Sequence, residues 1–287
     1  MRRLLQTSAV LAAAAALAFP AAAAASVKVG VNASSATISA DSKGHALVVY
    51  RSGGKLHRVL AWGAVNARPP SGSVPQVTFR LNNSGGKVKN TCHRVKLQLA
   101  WLVFACRAGD GSYWALQSWQ RLLPNNGGRP SAAQAAHELR LSHWTGPVAS
   151  LRIGWGWSFH RAHQMFGRYT YGGQGVFGFH VRNGVPLDGY GRNIYIDAFN
   201  SDIGKGWKRV NSFLAHGPIG AFCYGFFKHG GHTGVGPQMR ATAIGPGVTP
   251  DVLWQSHVPG AYNRSADLAA DAQMKKLLAG DKLCRPN

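Results

Sequence analysis

Two His-x-x-His pairs, His160-Arg-Ala-His163 and His229-Gly-Gly-His232, carry the spacing that most resembles a reactive site. Imidazoles at this spacing on a turn can share a metal ion, with Asp188, Asp197 or Asp202 as third ligand or as an acceptor behind it. Neither pair holds the glutamate of a helical His-Glu-x-x-His zinc motif. Twelve histidines also produce such spacings by chance, so surface or loop histidine is the simpler expectation and no cofactor is read from the chain. Glycoside hydrolysis ordinarily needs two carboxylates. Glu138 is the single glutamate, and of the aspartates Asp188 with Asp197 makes the best pair. Yet Pro186-Leu-Asp188-Gly189 reads as a turn in which Asp188 satisfies nearby backbone groups. The stretch from Asp197 to Gly204 has the composition of a calcium loop without EF-hand spacing, and no Gly-x-Ser-x-Gly elbow occurs.

Charge is the stronger signal. Thirty-two Lys and Arg face ten acidic residues, a formal charge of +22 on 287 residues. Such a field draws anions, while the carboxylate shortage removes the usual material of acid–base catalysis and of hard-metal cages. The excess concentrates early: residues 26–130 hold fourteen Lys and Arg against two Asp. Its densest run spans Lys87 to Lys96, where Lys87, Lys89, Arg94 and Lys96 form a rim for phosphate, sulfate or carboxylate. Trp114 and Trp119 are the expected stacking platforms for sugars or bases beside that rim, and Trp101 the expected core residue.

The elements that must position these groups are mostly strands. Thirty-six glycines and short β-branched or aromatic runs, divided by Gly, Asn, Asp and Pro, indicate a mainly β chain. Residues 46–50 and 56–64 flank a Gly53-Gly54 turn and read as a hairpin. Residues 95–103 read as one strand, which meets 113–119 across Gly109-Asp-Gly-Ser112. Closely spaced strands after residue 139 predict an antiparallel sandwich, and residues 265–283 predict one C-terminal helix capped by Ser265.

Arg2, Arg3, an alanine-rich apolar stretch and Ala21–Ala25 read as a signal peptide over residues 1–25. No later stretch approaches the ~20 apolar residues of a membrane span. The expected organisation is a basic β-rich domain over 26–125, a linker over 126–135, and a sandwich-like domain with the helix over 136–287. In an exported chain, Cys92, Cys106, Cys223 and Cys284 predict two disulfides; three pairings exist, and the local one, Cys92–Cys106 with Cys223–Cys284, is preferred.

Aromatic–glycine strings recur through the chain: Asp110 to Gln120, Ser142-His-Trp-Thr-Gly146, Phe166 to Tyr171, Pro186 to Tyr195 and Ala221 to Phe226. With these strings the chain resembles a group of secreted proteins of soil actinobacteria over most of residues 90–255. The resemblance implies export and a shared architecture, and it carries no activity, substrate or catalytic residue.

The sequence therefore points to a secreted, non-enzymatic binding protein for polyanionic or glycan components of the cell envelope or surroundings. Nucleic acid would be held only through non-specific charge. A secreted hydrolase acting on such a polymer, metal-dependent through the four histidines, and a structural or adhesion protein are the alternatives.

Overall fold

The computed structural model describes residues 26–66, 79–120, 135–158, 162–178, 180–182, 185–192, 194–198, 201, 205–209, 219–233, 238–278 and 281. The expected leader, and the expected linker apart from residue 135, lie outside the described residues.

After β1 (Val27–Val31), four strands form one antiparallel sheet in chain order: β2 (Ser34–Ala40), β3 (His45–Ser52), β4 (Lys55–Trp62) and β5 (Arg80–Asn82). The expected hairpin is β3–β4, turned by Gly53 and Gly54 at φ of 56° and 75°, a left-handed pair that suits the twist of the strands. A second sheet combines β1 with β6 (His93–Arg94), β7 (Leu102–Arg107), β8 (Tyr113–Gln120) and β9 (His137–Trp144) in the order β1-β9-β8-β7-β6. Strand pairing thus crosses the stretch expected as a linker, because β9 lies between β8 and β1.

The single strand expected over 95–103 is interrupted. Val95, Leu97 and Leu99 pack instead against Ala105, Ala115 and Trp144, on one face of the second sheet. Trp101, at a left-handed φ of 55°, turns the chain back into β7. Burying three apolar side chains replaces the ladder hydrogen bonds that a longer strand would make.

The two sheets pack face to face. Ile38, Val48, Tyr50 and Val59 meet Trp114, Leu116, Leu139 and Leu141 in one core. Cys92 and Cys106, with Cα atoms 5.5 Å apart, bridge the approach to β6 with β7. Closing so short a loop stabilises the fold by about 3 kcal/mol in the chain-entropy picture. Cys223 is also disulfide-bonded, whereas Cys284, its expected partner, lies outside the described residues.

The rest of the chain is built from β10 (Ser150–Ser158), β11 (Ala162–Tyr171), β12 (Gln174–Gly175), β13 (His180–Arg182), β14 (Val185–Leu187), β15 (Tyr195–Asp197), β16 (Lys205–Arg209), β17 (Ala221–Thr233), β18 (Met239–Ile244) and β19 (Val252–Ser256). One sheet runs β10-β11-β17-β16 with β12 on β11; a second runs β15-β18-β19; β13 and β14 pair separately. Met165, Tyr169, Tyr224 and Phe226 of the first face Ile196, Met239, Ala241 and Ala243 of the second. The helix α1 (Arg264–Leu278) covers the other side of β11 and β17, setting Ala270, Met274 and Leu278 on Phe166 and Ala221. Its cap is Asn263, whose Oδ1 accepts the Ala266 N–H at 2.9 Å, one residue ahead of the helix and two ahead of the expected Ser265. The fold is therefore mainly β and antiparallel, with sandwich-like packing and a C-terminal helix. Among the described residues no helix is long and apolar enough to cross a membrane.

The β18–β19 connection leaves its own sheet and docks on the second one. The Val248 carbonyl accepts the His143 N–H at 3.1 Å, and Val248 enters the first core.

Candidate anion-binding face

In β8, alternation sends Trp114 and Leu116 into the core between the sheets, while Tyr113, Ala115 and Gln117 face the opposite way. Cross-strand register then fixes a row over four strands: His93 opposite Arg107, Arg107 opposite Tyr113, and Tyr113 opposite Trp144. Directly opposed side chains share a face and touch. The Arg107 guanidinium lies 5.9 Å from the Tyr113 ring centroid, and Tyr113 stacks on Trp144 at 5.5 Å. Beside this row a cavity of about 310 Å³ opens, floored by Tyr113 and Trp144 and walled by Leu97, Leu99 and Val148. That volume lies at the small end of ordinary ligand pockets.

Arg94 and Lys96 lie at the β6 edge of this sheet, and Lys87 and Lys89 precede them in the chain, after Gly85 and Gly86, which lie on Arg58 and Leu60 of β4. Lys87, Lys89, Arg94 and Lys96 are all exposed, and none makes an ion pair among the described residues. Lys96 adjoins Leu97 in the cavity wall. Arg94, on the edge strand β6, extends its guanidinium over Phe104, 5.4 Å from the ring centroid. Arg107 is exposed as well.

The other end of the same face is closed. Asp251, fully buried in the β18–β19 connection, accepts hydrogen bonds from Trp119 Nε1 at 3.0 Å and from the Ser26 hydroxyl, and pairs with Arg140 Nε at 3.2 Å. The Gln117 amide exchanges two hydrogen bonds with the Asp251 backbone, at 2.9 and 3.0 Å. Arg140 also donates to Glu138 at 2.7 Å and to the Ser26 carbonyl. Burial pushes the Asp251 carboxyl above its ordinary value, against the pull of Arg140, Ser26 and Trp119. The lone glutamate thus serves an internal ion pair.

Two expected stacking residues require correction. Trp114 is wholly buried, its ring 3.7 Å from that of His143, and Trp119 is buried on Trp101 at 5.0 Å with its N–H held by Asp251. Neither can meet a ligand. Tyr113, half-buried at the cavity and stacked on the buried Trp144, stands where those two were expected. The signal was parity: Trp114 and Leu116 are the large apolar pair of β8, so its inward face begins at Trp114 and Tyr113 must look out.

The histidine pairs do not make a described site. His160 lies outside the described residues, His229 and His232 fall on β17 with only their backbone described, and His163 is buried opposite Phe226 and Trp157. Among the described residues no three His, Cys, Asp or Glu gather as metal ligands. Asp188 holds its own turn, accepting the Tyr190 and Arg192 N–H groups at 2.9 and 2.8 Å and pairing with Arg192 Nε at 2.7 Å.

One unexpected constellation joins an acid, a serine and a histidine. Asp110 accepts the Ser112 hydroxyl at 2.6 Å, and Ser112 Oγ lies 2.9 Å from His143 Nε2. A hydrolytic triad places the imidazole between acid and nucleophile; here the serine stands in the middle. Ser112 and His143 are 2% and 1% exposed, so no nucleophile reaches a substrate. Burial lowers the His143 pKa to about 4, overriding the opposite pull of the Ala64 backbone and of Asp110. The Ser112–His143 contact is a buried link between β9 and the β7–β8 turn.

No family model, curated protein or solved structure matches the chain. The functional reading therefore rests on the residues of this face alone.

Proposed function

We propose that the protein is a secreted, non-enzymatic binding protein for a polyanionic glycan of the cell envelope or surroundings, held on the β6 edge of the second sheet. The observation that carries the reading is the set Lys87, Lys89, Arg94 and Lys96, exposed and unpaired among the described residues, on the chain that also walls the Tyr113–Trp144 cavity. Anionic groups would meet the cations, and a ring of the polymer would lie against Tyr113. Export is supported by the expected leader and by the Cys92–Cys106 disulfide, which an oxidising compartment preserves.

The test is retention on a sulfated or carboxylated polysaccharide across a salt series. Binding should weaken steeply between about 0.1 and 1 M salt, as the screening length falls from about 10 to 3 Å. Reversal of all four cations to glutamate should abolish it while leaving the melting temperature near that of the parent. Salt-independent retention, or full retention by the reversed variant, defeats the proposal.

A further inference from the structure

A second cavity, of about 440 Å³, opens where β10 passes between α1 and β19. β10 is an end strand of its sheet, and its Ile153, Gly154 and Trp155 line this space. Trp155 on β10 and Trp254 on β19, both half-buried, contribute indole rings, and Ala266 and Ala269 of α1 leave the opposite wall low. None of the lining side chains is ionisable.

Its polar groups are few and placed at the rim. Trp155 Nε1 donates to Ser256 Oγ at 3.0 Å, which orients both groups and leaves the serine its own hydroxyl proton. His257 Nδ1 lies 3.5 Å from the same oxygen and limits where that proton can turn. Gln273 of α1 lies over Gly154: a Cβ at Gly154 would come within 2.5 Å of Gln273 Oε1, so glycine is what lets the amide rest on the strand. That amide, on an exposed side chain, offers one acceptor and two donors.

We infer that this cavity is a second binding site, taking a neutral sugar ring. A pyranose has apolar C–H faces and a hydroxyl rim, which matches indole rings flanked by a hydroxyl and a primary amide. An anionic ring would lack a counter-charge among the lining residues, and a purely apolar ligand would make no use of the hydroxyl and amide at the rim. The inference does not rest on the basic face, and the two sites are distinguishable by salt.

The experiment follows tryptophan fluorescence of the full mature chain titrated with neutral cello- and chito-oligosaccharides. We expect a saturable change with the same Kd at about 0.1 and 1 M salt, where screening removes charge-driven binding. Trp254→Ala and Gln273→Ala should each weaken binding about tenfold, a loss of about 1.4 kcal/mol. Ala269→Phe, which fills the cavity from an exposed helix position, should abolish it without unfolding the chain. The Lys87, Lys89, Arg94 and Lys96 reversal should leave it unchanged. Absence of binding to both neutral series overturns the inference, and so does binding that salt removes or that all three cavity variants retain.

Discussion

One face of the second sheet has two ends with opposite treatments of arginine. At the closed end, Arg140 is paired with Glu138 and Asp251, Trp119 gives its N–H to the same aspartate, and the β18–β19 connection seals the group. At the open end, Arg107 and the neighbouring Lys96 have no carboxylate partner among the described residues, and Tyr113 and Trp144 floor a cavity. Acidic residues are scarce in this chain, and two of those near the face are spent inside it. A buried cation must be paired and hydrogen-bonded, whereas an exposed one is solvated and remains available. Distribution of the few acids, more than the total charge, separates buried cations from exposed ones here.

Breaking the closed end should have the largest effect. Arg140→Ala leaves Asp251 buried without its cation and should lower stability by about 3–5 kcal/mol in urea unfolding. A loss under 1 kcal/mol would mean that water reaches Asp251 and that the two ends do not differ in the way described.

Acid sharpens the contrast, since it titrates the buried groups and leaves Lys and Arg charged. The folded-state pKa of His143 is depressed from 6.5 to about 4, so the unfolded chain binds the extra proton between those values. Stability should therefore fall as pH drops through that window, by about 3 kcal/mol from this group. Asp251 acts with opposite sign. Its raised pKa means that the folded chain takes up a proton first, offsetting part of the loss. In a pH series of melting curves, His143→Gln should flatten the profile between pH 4 and 6.5, and an unchanged slope would assign the acid response elsewhere.

Smaller effects belong to the open end. Tyr113→Ala should weaken polyanion binding by about 1–2 kcal/mol with an unaltered salt slope, because it removes stacking and no charge. Lys96→Ala should cost only a few-fold in affinity and reduce the salt slope by about one charge. If Tyr113→Ala changes the slope, or Lys96→Ala does not, the division of roles on this face is wrong.

Much of the architecture was legible. The Gly53-Gly54 hairpin, the strands of both halves and the C-terminal helix follow from local turn chemistry and periodicity, which act over a few residues. The site was read less well. Lys87, Lys89, Arg94 and Lys96 were found because charge runs stay on the surface, but Trp114 lies on the core side of β8, and Trp119, on the outer side, is covered by the β18–β19 connection. A tryptophan near basic residues looks the same from either face of a strand; only pairing with β7 and β9 tells which face is core. The cavity between α1, β10 and β19 had no sequence signal at all, since Trp155, Trp254 and Gln273 lie up to 118 positions apart.

Sequence alone determined the mainly β character and the excess of cations before residue 130, because composition and short spacings set these; of three possible disulfide pairings it only favoured the local one, of which the structure shows Cys92–Cys106. Tertiary structure decided that β9 joins the second sheet between β8 and β1, that Asp251 closes one end of a face, and which aromatic rings remain accessible. Those outcomes depend on strands and loops meeting across more than a hundred residues, where strand register, and not local preference, selects the neighbour.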